Sequence, residues 1–191
     1  MIDIEPKHLS EITPTPNPSS QGGGGLGGGL PDSPSPLRGG ARGGGNVQTK
    51  IIAETMRWVG TPYRHQGSRR GVGCDCLGLV RGVWRAIYGH EPEHPGPYAP
   101  DWAEASGEDA LIAAARRHCI EKAKEDMTPG DLLLFRWRAE MPAKHAGILV
   151  SPDRFAHAYE GHAVLVSALV PQWRRRIAGV FVFPPLPQAG N

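Results

Sequence analysis

The sequence predicts an α+β domain in which helices come first and an antiparallel sheet follows. Between residues 47 and 124, apolar side chains recur at the 3.6-residue spacing of helices. From residue 131 onward, short apolar runs alternate with turn residues, a pattern typical of strands joined by hairpins. The chain has 191 residues, and the part after residue 46 is long enough for one domain with a real core but short for two.

The first 46 residues differ in composition from the rest of the chain. They contain 12 of the 26 Gly and 7 of the 19 Pro, and no Phe, Tyr or Trp. A Pro-Ser-rich stretch that runs into glycines occurs at 18–24 and again at 34–40. Such a segment buries too little apolar surface to offset its ordering entropy, so we predict that 1–46 is disordered. Because the repeat resembles translated intergenic DNA, we expect the working protein to begin near Asn46 or Val47.

The predicted helices end where the 3.6-residue period stops. The first begins near residue 47 and ends at Gly60-Thr61-Pro62, and a Gly- and Arg-rich loop follows over 64–73. The second begins at Cys76 and stops at Tyr88-Gly89. After a Pro-rich connection we predict a third helix over 101–124, with four residues on one face: Leu111, Ile112, Ala115 and Cys119.

The predicted strands lie in the second half of the chain, each bounded by turn residues. They cover residues 131–135, 146–150, 155–159, 164–167 and 180–183. The residues Glu160-Gly161-His162 between the third and fourth strands are typical of a hairpin connection. We therefore predict one domain over 47–184, followed by a short tail at 185–191.

The charge balance and hydropathy exclude several classes of partner. The formal net charge is +2, and the only dense basic run, Arg174-Arg175-Arg176, is too short for a nucleic-acid face. No apolar stretch approaches the roughly 18 residues of a membrane span, and the N-terminus lacks the apolar region of a secretory signal. We therefore expect no nucleic-acid partner, no membrane span and no export by a signal peptide.

Cys76 is the candidate nucleophile. It lies in the first turn of a predicted helix, where free backbone N–H groups stabilise a thiolate and lower the pKa of the thiol. The alternative is a buried structural cysteine, a common fate of this residue type. Cys74 and Cys119 lack that position, and we expect both to be core or loop thiols. Three cysteines do not suggest a disulfide framework.

Two histidines can serve a thiolate nucleophile, which needs a base and a group that orients the base. His145 begins a predicted strand, and His157 lies in the next strand, 12 residues later. If these strands pair antiparallel across Ser151-Pro152-Asp153, the two imidazoles approach each other at one end of the sheet. The alternatives are ordinary surface histidines, or a zinc site with Cys74 and Cys76. Because Cys-x-Cys departs from the usual spacing of zinc ligands, we expect no metal.

Five sequence blocks occur in a characteristic order. They are Gly60-Thr61-Pro62-Tyr63-Arg64, Asp75-Cys76-Leu77-Gly78-Leu79-Val80, Pro129-Gly130-Asp131-Leu132, Lys144-His145-Ala146-Gly147-Ile148 and Phe155-Ala156-His157-Ala158. In this order and spacing they resemble the NlpC/P60 cysteine peptidases, most closely the branch found in prophages and gene transfer agents. The resemblance covers about residues 47–184.

The resemblance implies a papain-like α+β core and hydrolysis of peptidoglycan stem peptides, usually between γ-D-glutamyl and a diamino acid. It makes Cys76 the nucleophile, His145 the base and His157 the residue that orients the base by accepting its Nδ1 proton. It also places Tyr63 near the developing oxyanion and Asp75 at the substrate amine. The alternatives are plain packing for Tyr63 and a helix N-cap for Asp75. The resemblance implies no metal or organic cofactor.

One position departs from the common family pattern. Leu77 stands where the Asp-Cys-Ser-Gly block has a hydroxyl that can help hold the substrate, and the phage-associated branch often carries Leu there.

The resemblance and the lack of a signal peptide together lead us to expect a cell-wall endopeptidase made in the bacterial cytoplasm, which acts at the wall through a phage-like tail or after lysis. Phage tail proteins are the further expected partners. The alternatives are an acyl or amide hydrolase or transferase with the same three residues, and a non-catalytic tail subunit.

Overall fold

The computed structural model describes residues 47–96, 98 and 109–186, which adopt the predicted α+β fold. The predicted disordered segment 1–46, the start of the predicted helix 101–124 and residues 187–191 of the tail lie outside the described part. The helices are α1 (Val47–Arg57), α2 (Cys76–Tyr88), α3 (Ala110–His118) and α4 (Pro171–Arg176), with a 3-10 turn at Lys124–Asp126. The strands are β1 (Ser68–Arg69), β2 (Gly73–Cys74), β3 (Ile120–Lys122), β4 (Leu132–Phe135), β5 (His145–Ser151), β6 (Arg154–Ala158), β7 (Val164–Ala168) and β8 (Ile177–Val182).

Six strands form one antiparallel sheet in the order β3-β8-β4-β5-β6-β7. In its register Phe135 of β4 lies opposite His145 of β5, and His157 of β6 lies opposite Leu165 of β7. Strands β1 and β2 form a separate small hairpin just before α2. Because β5 and β6 are adjacent and joined by a short turn, the sheet brings His145 and His157 to neighbouring strands, as predicted.

The sheet separates two apolar clusters, because successive side chains of a strand point to opposite faces. On one face, Ala146 and Ile148 of β5 pack with buried residues of the first three helices, among them Ile51, Leu79, Val83 and Leu111. On the other face, Phe155 of β6 packs with Trp173 of α4. Helix α2 is thereby held against β5, the strand that carries His145.

Helix α2 has a clear beginning and a clear end. The Asp75 carboxylate is its N-cap and accepts a hydrogen bond from the Gly78 N–H at 2.7 Å. Gly89 ends the helix with a φ of 80°, and its N–H donates to the Arg85 carbonyl. At 13 residues α2 is the longest described helix, and no helix in the described ranges is long and apolar enough to cross a membrane.

The structure corrects the third predicted helix and adds elements that the sequence did not indicate. Helix α3 ends at His118, and Cys119 adopts an extended conformation, so Cys119 does not continue the helical face. Ile120–Lys122 then forms the edge strand β3, which pairs with β8. Strand β3 is short and largely exposed, so it carries no local alternation of apolar residues. The short helix α4 and the β1–β2 hairpin were likewise not predicted.

Gly78 allows the first turn of α2 to lie directly against the preceding loop. A Cβ atom added at Gly78 would lie 1.7 Å from the Gly67 carbonyl oxygen, a distance that no real contact allows. The Ser68 hydroxyl also donates to the Gly78 carbonyl at 2.8 Å. The loop and the start of α2 are therefore packed backbone to backbone, which positions Cys76 two residues earlier.

We expect Gly78→Ala to destabilise the fold by about 1–3 kcal/mol, because the added methyl must push the Gly67 backbone away. Chemical denaturation measures this change in the free energy of unfolding. Ala86→Ser, on the exposed side of the same helix, is the control and should change stability by less than about 0.5 kcal/mol. Equal stability of Gly78→Ala and the wild type would show that the contact is not tight in solution.

Candidate active site

Cys76 is the first residue of α2 and keeps part of its surface exposed. Its sulfur lies within reach of three backbone N–H groups: those of Ala146, of Leu77 and of Cys76 itself. Ala146 directly follows His145 in β5, so this contact places the sulfur at the start of the strand that carries the predicted base. The helix N-terminus and the beginning of β5 therefore meet at Cys76.

Burial raises the pKa of Cys76 to about 12, and the nearby negative charge of Asp75 acts in the same direction. The three backbone N–H groups act in the opposite direction but do not compensate for the lost hydration. The sequence-based expectation of a lowered pKa is therefore wrong. The N–H groups at the helix N-terminus lower the pKa as expected, but the removal of water from the sulfur raises it by more. The resting side chain is therefore a thiol.

The two predicted histidines are in direct contact. His145 Nε2 and His157 Nδ1 are 2.9 Å apart, and their rings meet edge to face with centroids separated by 5.0 Å. The predicted approach of the two imidazoles is thus confirmed. The expected atom is corrected, because His145 uses Nε2 for this bond and not Nδ1.

An aromatic cluster surrounds His145. The rings of Phe135, Trp137 and Trp173 have their centroids 6.0 to 6.1 Å from its own. Burial in this cluster lowers the pKa of His145 to about 4. Burial, and then the charge of His145, likewise lower the pKa of His157 well below its ordinary value. Both imidazoles are therefore neutral near pH 7, the form in which a histidine can accept a proton.

Ser167 of β7 extends the pair of histidines to a chain of three residues. Its hydroxyl Oγ is 2.9 Å from His157 Nε2. When His145 donates its Nε2–H to His157, the His157 proton resides on Nε2 and is accepted by Ser167. The Nδ1 atom of His145 is then an unprotonated acceptor.

The sequence analysis did not identify Ser167. In the β6–β7 register Ser167 lies opposite Phe155, two residues before His157, and thus on the same sheet face as the histidine. The strand was predicted, but this placement requires the register across the 160–162 turn. Only that register could have indicated Ser167 from the sequence.

Asp75 is buried, and its carboxylate is occupied by the protein's own donors. One oxygen accepts the Gly78 N–H, and the other accepts the Gln66 N–H at 2.7 Å and the Tyr98 hydroxyl at 2.6 Å. His65 Nδ1 lies 3.7 Å from the same oxygen. The structure therefore realises the N-cap role, and a contact with a substrate amine stays a prediction.

Tyr98 is a further residue that the sequence analysis missed. Besides its hydroxyl bond to Asp75, its carbonyl oxygen accepts a hydrogen bond from Gln66 Nε2 at 2.7 Å and lies 2.8 Å from His65 Nε2. Burial raises the pKa of Tyr98, and its bond to the Asp75 carboxylate adds to the shift. Tyr98 lies in the Pro-rich connection, where no periodic pattern indicates a contact with Asp75.

Tyr63 lies next to the same site. Its N–H donates to the His162 carbonyl, and it forms a parallel bridge with Cys74. Burial raises the pKa of Tyr63 to about 12, with smaller contributions from Glu160, Cys76 and Asp75. The phenol is therefore a neutral hydroxyl donor near pH 7, close enough to Cys76 to respond to its charge.

The residues of the zinc alternative do not form a ligand set. Among the described residues, no group of three or more His, Cys, Asp or Glu side chains is arranged to hold a metal ion. Cys74 is fully buried, and burial raises the pKa of its thiol to about 12. Cys119 is partly buried, and burial raises its pKa to about 12 as well.

Two curated proteins illustrate the sequence similarity. The murein DD-endopeptidase MepS/murein LD-carboxypeptidase of Escherichia coli is 27% identical over 132 residues, which cover 69% of this chain and 60% of that protein. The gamma-DL-glutamyl hydrolase of Bacillus subtilis is 29% identical over 140 residues, which cover 71% of this chain and 29% of that protein. The match thus spans less than two thirds of the length of either relative.

Solved structures share the fold. An NlpC/P60 family protein from Bacillus cereus superposes with a TM-score of 0.53 at 21% identity, over 73% of this chain and 40% of that chain. NlpC2 from Trichomonas vaginalis gives a TM-score of 0.52 at 19% identity, over 74% and 49% of the two chains. The model of the NlpC/P60 family matches residues 60–182, a range that includes Cys76, both paired histidines and Ser167. The chain therefore belongs to the NlpC/P60 family.

Proposed function

We propose that this chain is a cysteine endopeptidase that cleaves the stem peptides of peptidoglycan between γ-D-glutamyl and a diamino acid. The observation that carries the proposal is the position of Cys76, a half-buried cysteine at a helix N-terminus, against the strand that begins with His145. The His145–His157–Ser167 chain behind it supplies a neutral base. A murein endopeptidase and a gamma-DL-glutamyl hydrolase among the relatives support this substrate class.

The reaction begins from a neutral pair, because the pKa of Cys76 is raised and that of His145 is lowered. As the sulfur attacks the scissile carbonyl carbon, its proton passes to Nδ1 of His145. The resulting imidazolium donates its Nε2–H to His157, which in turn donates to Ser167. The hydrogen-bond chain thus spreads the positive charge that forms only during the reaction.

The carbonyl oxygen becomes an oxyanion when the carbon–sulfur bond forms. The backbone N–H of Cys76 lies at the sulfur, and the Tyr63 hydroxyl is a neutral donor nearby. His145 then gives its proton to the leaving amine, and the C–N bond breaks to leave an acyl-enzyme. A water molecule, deprotonated by His145, hydrolyses the thioester and restores the Cys76 thiol.

We further propose that the protein acts at the wall as part of a phage-like or gene-transfer-agent particle, or after lysis. The order of the five motif blocks and Leu77 after the nucleophile support this association. Tail proteins are then its assembly partners, and the bacterial cytoplasm is its place of synthesis. The association can be tested separately from the enzyme activity. The test measures whether the protein co-purifies with tail proteins from particles or remains as free protein in the lysate.

The first prediction concerns the nucleophile. Iodoacetamide should label Cys76 well before Cys74 or Cys119, although burial raises the pKa of all three thiols to about 12. Cys76 is half-buried at a helix N-terminus and contacts the Ala146 backbone next to His145, whereas Cys74 has no exposed surface. Labelling should rise as pH increases, because the thiolate is the reactive form. Peptide mass spectrometry measures each site, and faster labelling of Cys74 would contradict the assignment.

The second prediction separates the base from the orienting residue. His145→Ala should abolish turnover of a muropeptide almost as fully as Cys76→Ala, a loss on the order of 10²–10⁴-fold for the base. His157→Asn should be milder, because an amide oxygen can still accept the Nε2–H of His145. The turnover of His157→Ala should be lower than that of His157→Asn and higher than that of His145→Ala. If His157→Asn is folded by circular dichroism yet as inactive as Cys76→Ala, His157 has a proton-transfer role.

The third prediction concerns Ser167 as a positioning residue. Ser167→Ala should lower kcat roughly 10-fold with KM nearly unchanged, since it removes one hydrogen bond behind the base and touches no substrate. Ser167→Thr keeps the hydroxyl and should recover most of the rate. Ser151→Ala, which removes a hydroxyl bonded to Asp153 in the β5–β6 turn, is the matched control. A change confined to KM, or no recovery by threonine, would argue against this role.

A further inference from the structure

A cavity of about 460 Å³ has Trp137 of the aromatic cluster in its lining, and its wall is strongly cationic. Five basic side chains line it: Lys124, Arg136, Arg138, Arg175 and Arg176. Among the residues that the structure describes, no Asp or Glu belongs to this lining. The cationic cavity, as we call it, is therefore a concentrated positive site in a chain whose net charge is only +2.

The cavity unites three segments that are distant in the sequence. They are the 3-10 turn at Lys124–Asp126, the loop after β4 and the end of α4. Arg174 is used elsewhere, because its guanidinium donates to the carbonyls of Leu169 and Pro152. The other two residues of the triple-arginine run line the cavity, so the run serves a folded site and not an extended basic face.

The positive charges of the cavity are only partly compensated. Lys124 donates to the Ile177 carbonyl, and Arg136 contacts the Asp109 carboxylate at 3.2 Å. Arg136 Nε is buried and has no hydrogen-bond partner within the described ranges. The side chains of Arg138 and Arg175 form no ion pair or hydrogen bond with any described residue. Like charges held around one cavity repel each other, and an anion bound there would relieve that repulsion.

Trp137 connects the cavity to the proposed base. The guanidinium carbon of Arg176 lies 4.9 Å from the centroid of the Trp137 ring. The same ring is stacked on His145 at an interplanar angle of 22°. The cavity is therefore only one aromatic ring away from the residue that protonates the leaving amine in the proposed reaction.

We propose that the cationic cavity binds the free carboxylates on the leaving-group side of the stem peptide, namely those of the diamino acid and of the residues after it. This inference rests on the proposed function. The leaving amine must be near His145 to receive its proton, and only the Trp137 ring separates His145 from the cavity, so the peptide that follows the amine begins close to the cavity. Arginine guanidinium groups pair with carboxylates through two parallel hydrogen bonds, which suits a peptide that carries several carboxylates.

The test combines a charge-removing variant with two substrates. Arg138→Gln/Arg175→Gln removes two charges that have no partner within the described protein. Lys50→Gln/Arg154→Gln, at exposed positions outside the cavity, removes the same total charge and is the control. Each variant is assayed with a stem tetrapeptide whose leaving-side carboxylates are free and with the same peptide in amidated form. Separate amidation of the diamino-acid carboxylate and of the terminal carboxylate shows which group is bound.

We expect the wild type and the control to have a KM about 10-fold lower for the free form than for the amidated form, the ratio typical of a charge-assisted hydrogen bond. The cavity variant should lose this preference, with kcat within about 2-fold of the wild type. Added salt should reduce the preference in the wild type, because the pairing groups are partly exposed. An unchanged preference in the cavity variant, or an equal loss in the control, overturns the proposal.

Binding measurements keep this result separate from the proposed activity. If the wild type cleaves neither peptide, the proposed function fails, and titration calorimetry of the free-carboxylate peptide into Cys76→Ala then tests the cavity alone. Loss of binding in the Cys76→Ala background when Arg138 and Arg175 are also replaced by Gln supports a carboxylate site. Equal binding overturns it. Tighter, arginine-dependent binding of polyglycerol phosphate than of the peptide would overturn the assignment of the ligand.

Discussion

The buried carboxylate of Asp75 is the interaction on which the geometry around Cys76 depends. It accepts hydrogen bonds from the start of α2, from the loop that precedes the β1–β2 hairpin and from Tyr98 in the Pro-rich connection. A buried carboxylate must be hydrogen-bonded to compensate for its lost hydration. Separation of these three segments would break those bonds and is therefore unfavourable in free energy. Cys76, the next residue, is thereby held at a fixed position relative to β5.

The same carboxylate influences the chemistry of its neighbour. Together with burial, its charge opposes ionisation of the thiol, so the helix N-terminus does not produce a resting thiolate. On the other side of the site, aromatic rings remove water from His145 and oppose its protonation. Because burial disfavours both the thiolate and the imidazolium, the resting pair is neutral. In the proposed reaction, proton transfer from Cys76 to His145 is therefore coupled to attack on the substrate and does not precede it.

Much of the fold could be predicted from local patterns, and so could the principal residues of the candidate site. The helical spacing of apolar residues predicts α2, and Asp75 just before it is a typical N-cap. Short apolar runs between turn residues predict the strands β4 to β8. The contact between His145 and His157 follows from one short turn between their strands. Tyr98 and Ser167 could not be found in this way, because their bonds connect positions whose proximity is decided by loop path and strand register. The direction of the pKa shift at Cys76 was mispredicted for a similar reason, since burial is a property of the packed structure.

The aromatic cluster connects the candidate active site with the cationic cavity. Trp137 and Trp173 pack on His145 and contribute to the burial that keeps it neutral, and both rings also lie under the Arg176 guanidinium. A cation over a tryptophan face is stabilised by the ring's quadrupole, so Arg176 can remain at the wall of the cavity without a carboxylate partner. Trp137 is thus packed against both His145 and Arg176 and holds that charge close to the candidate site. In the proposed reaction, an anion bound in the cavity would reduce the positive potential at His145 and so favour its protonated form, which is the form that gives a proton to the leaving amine.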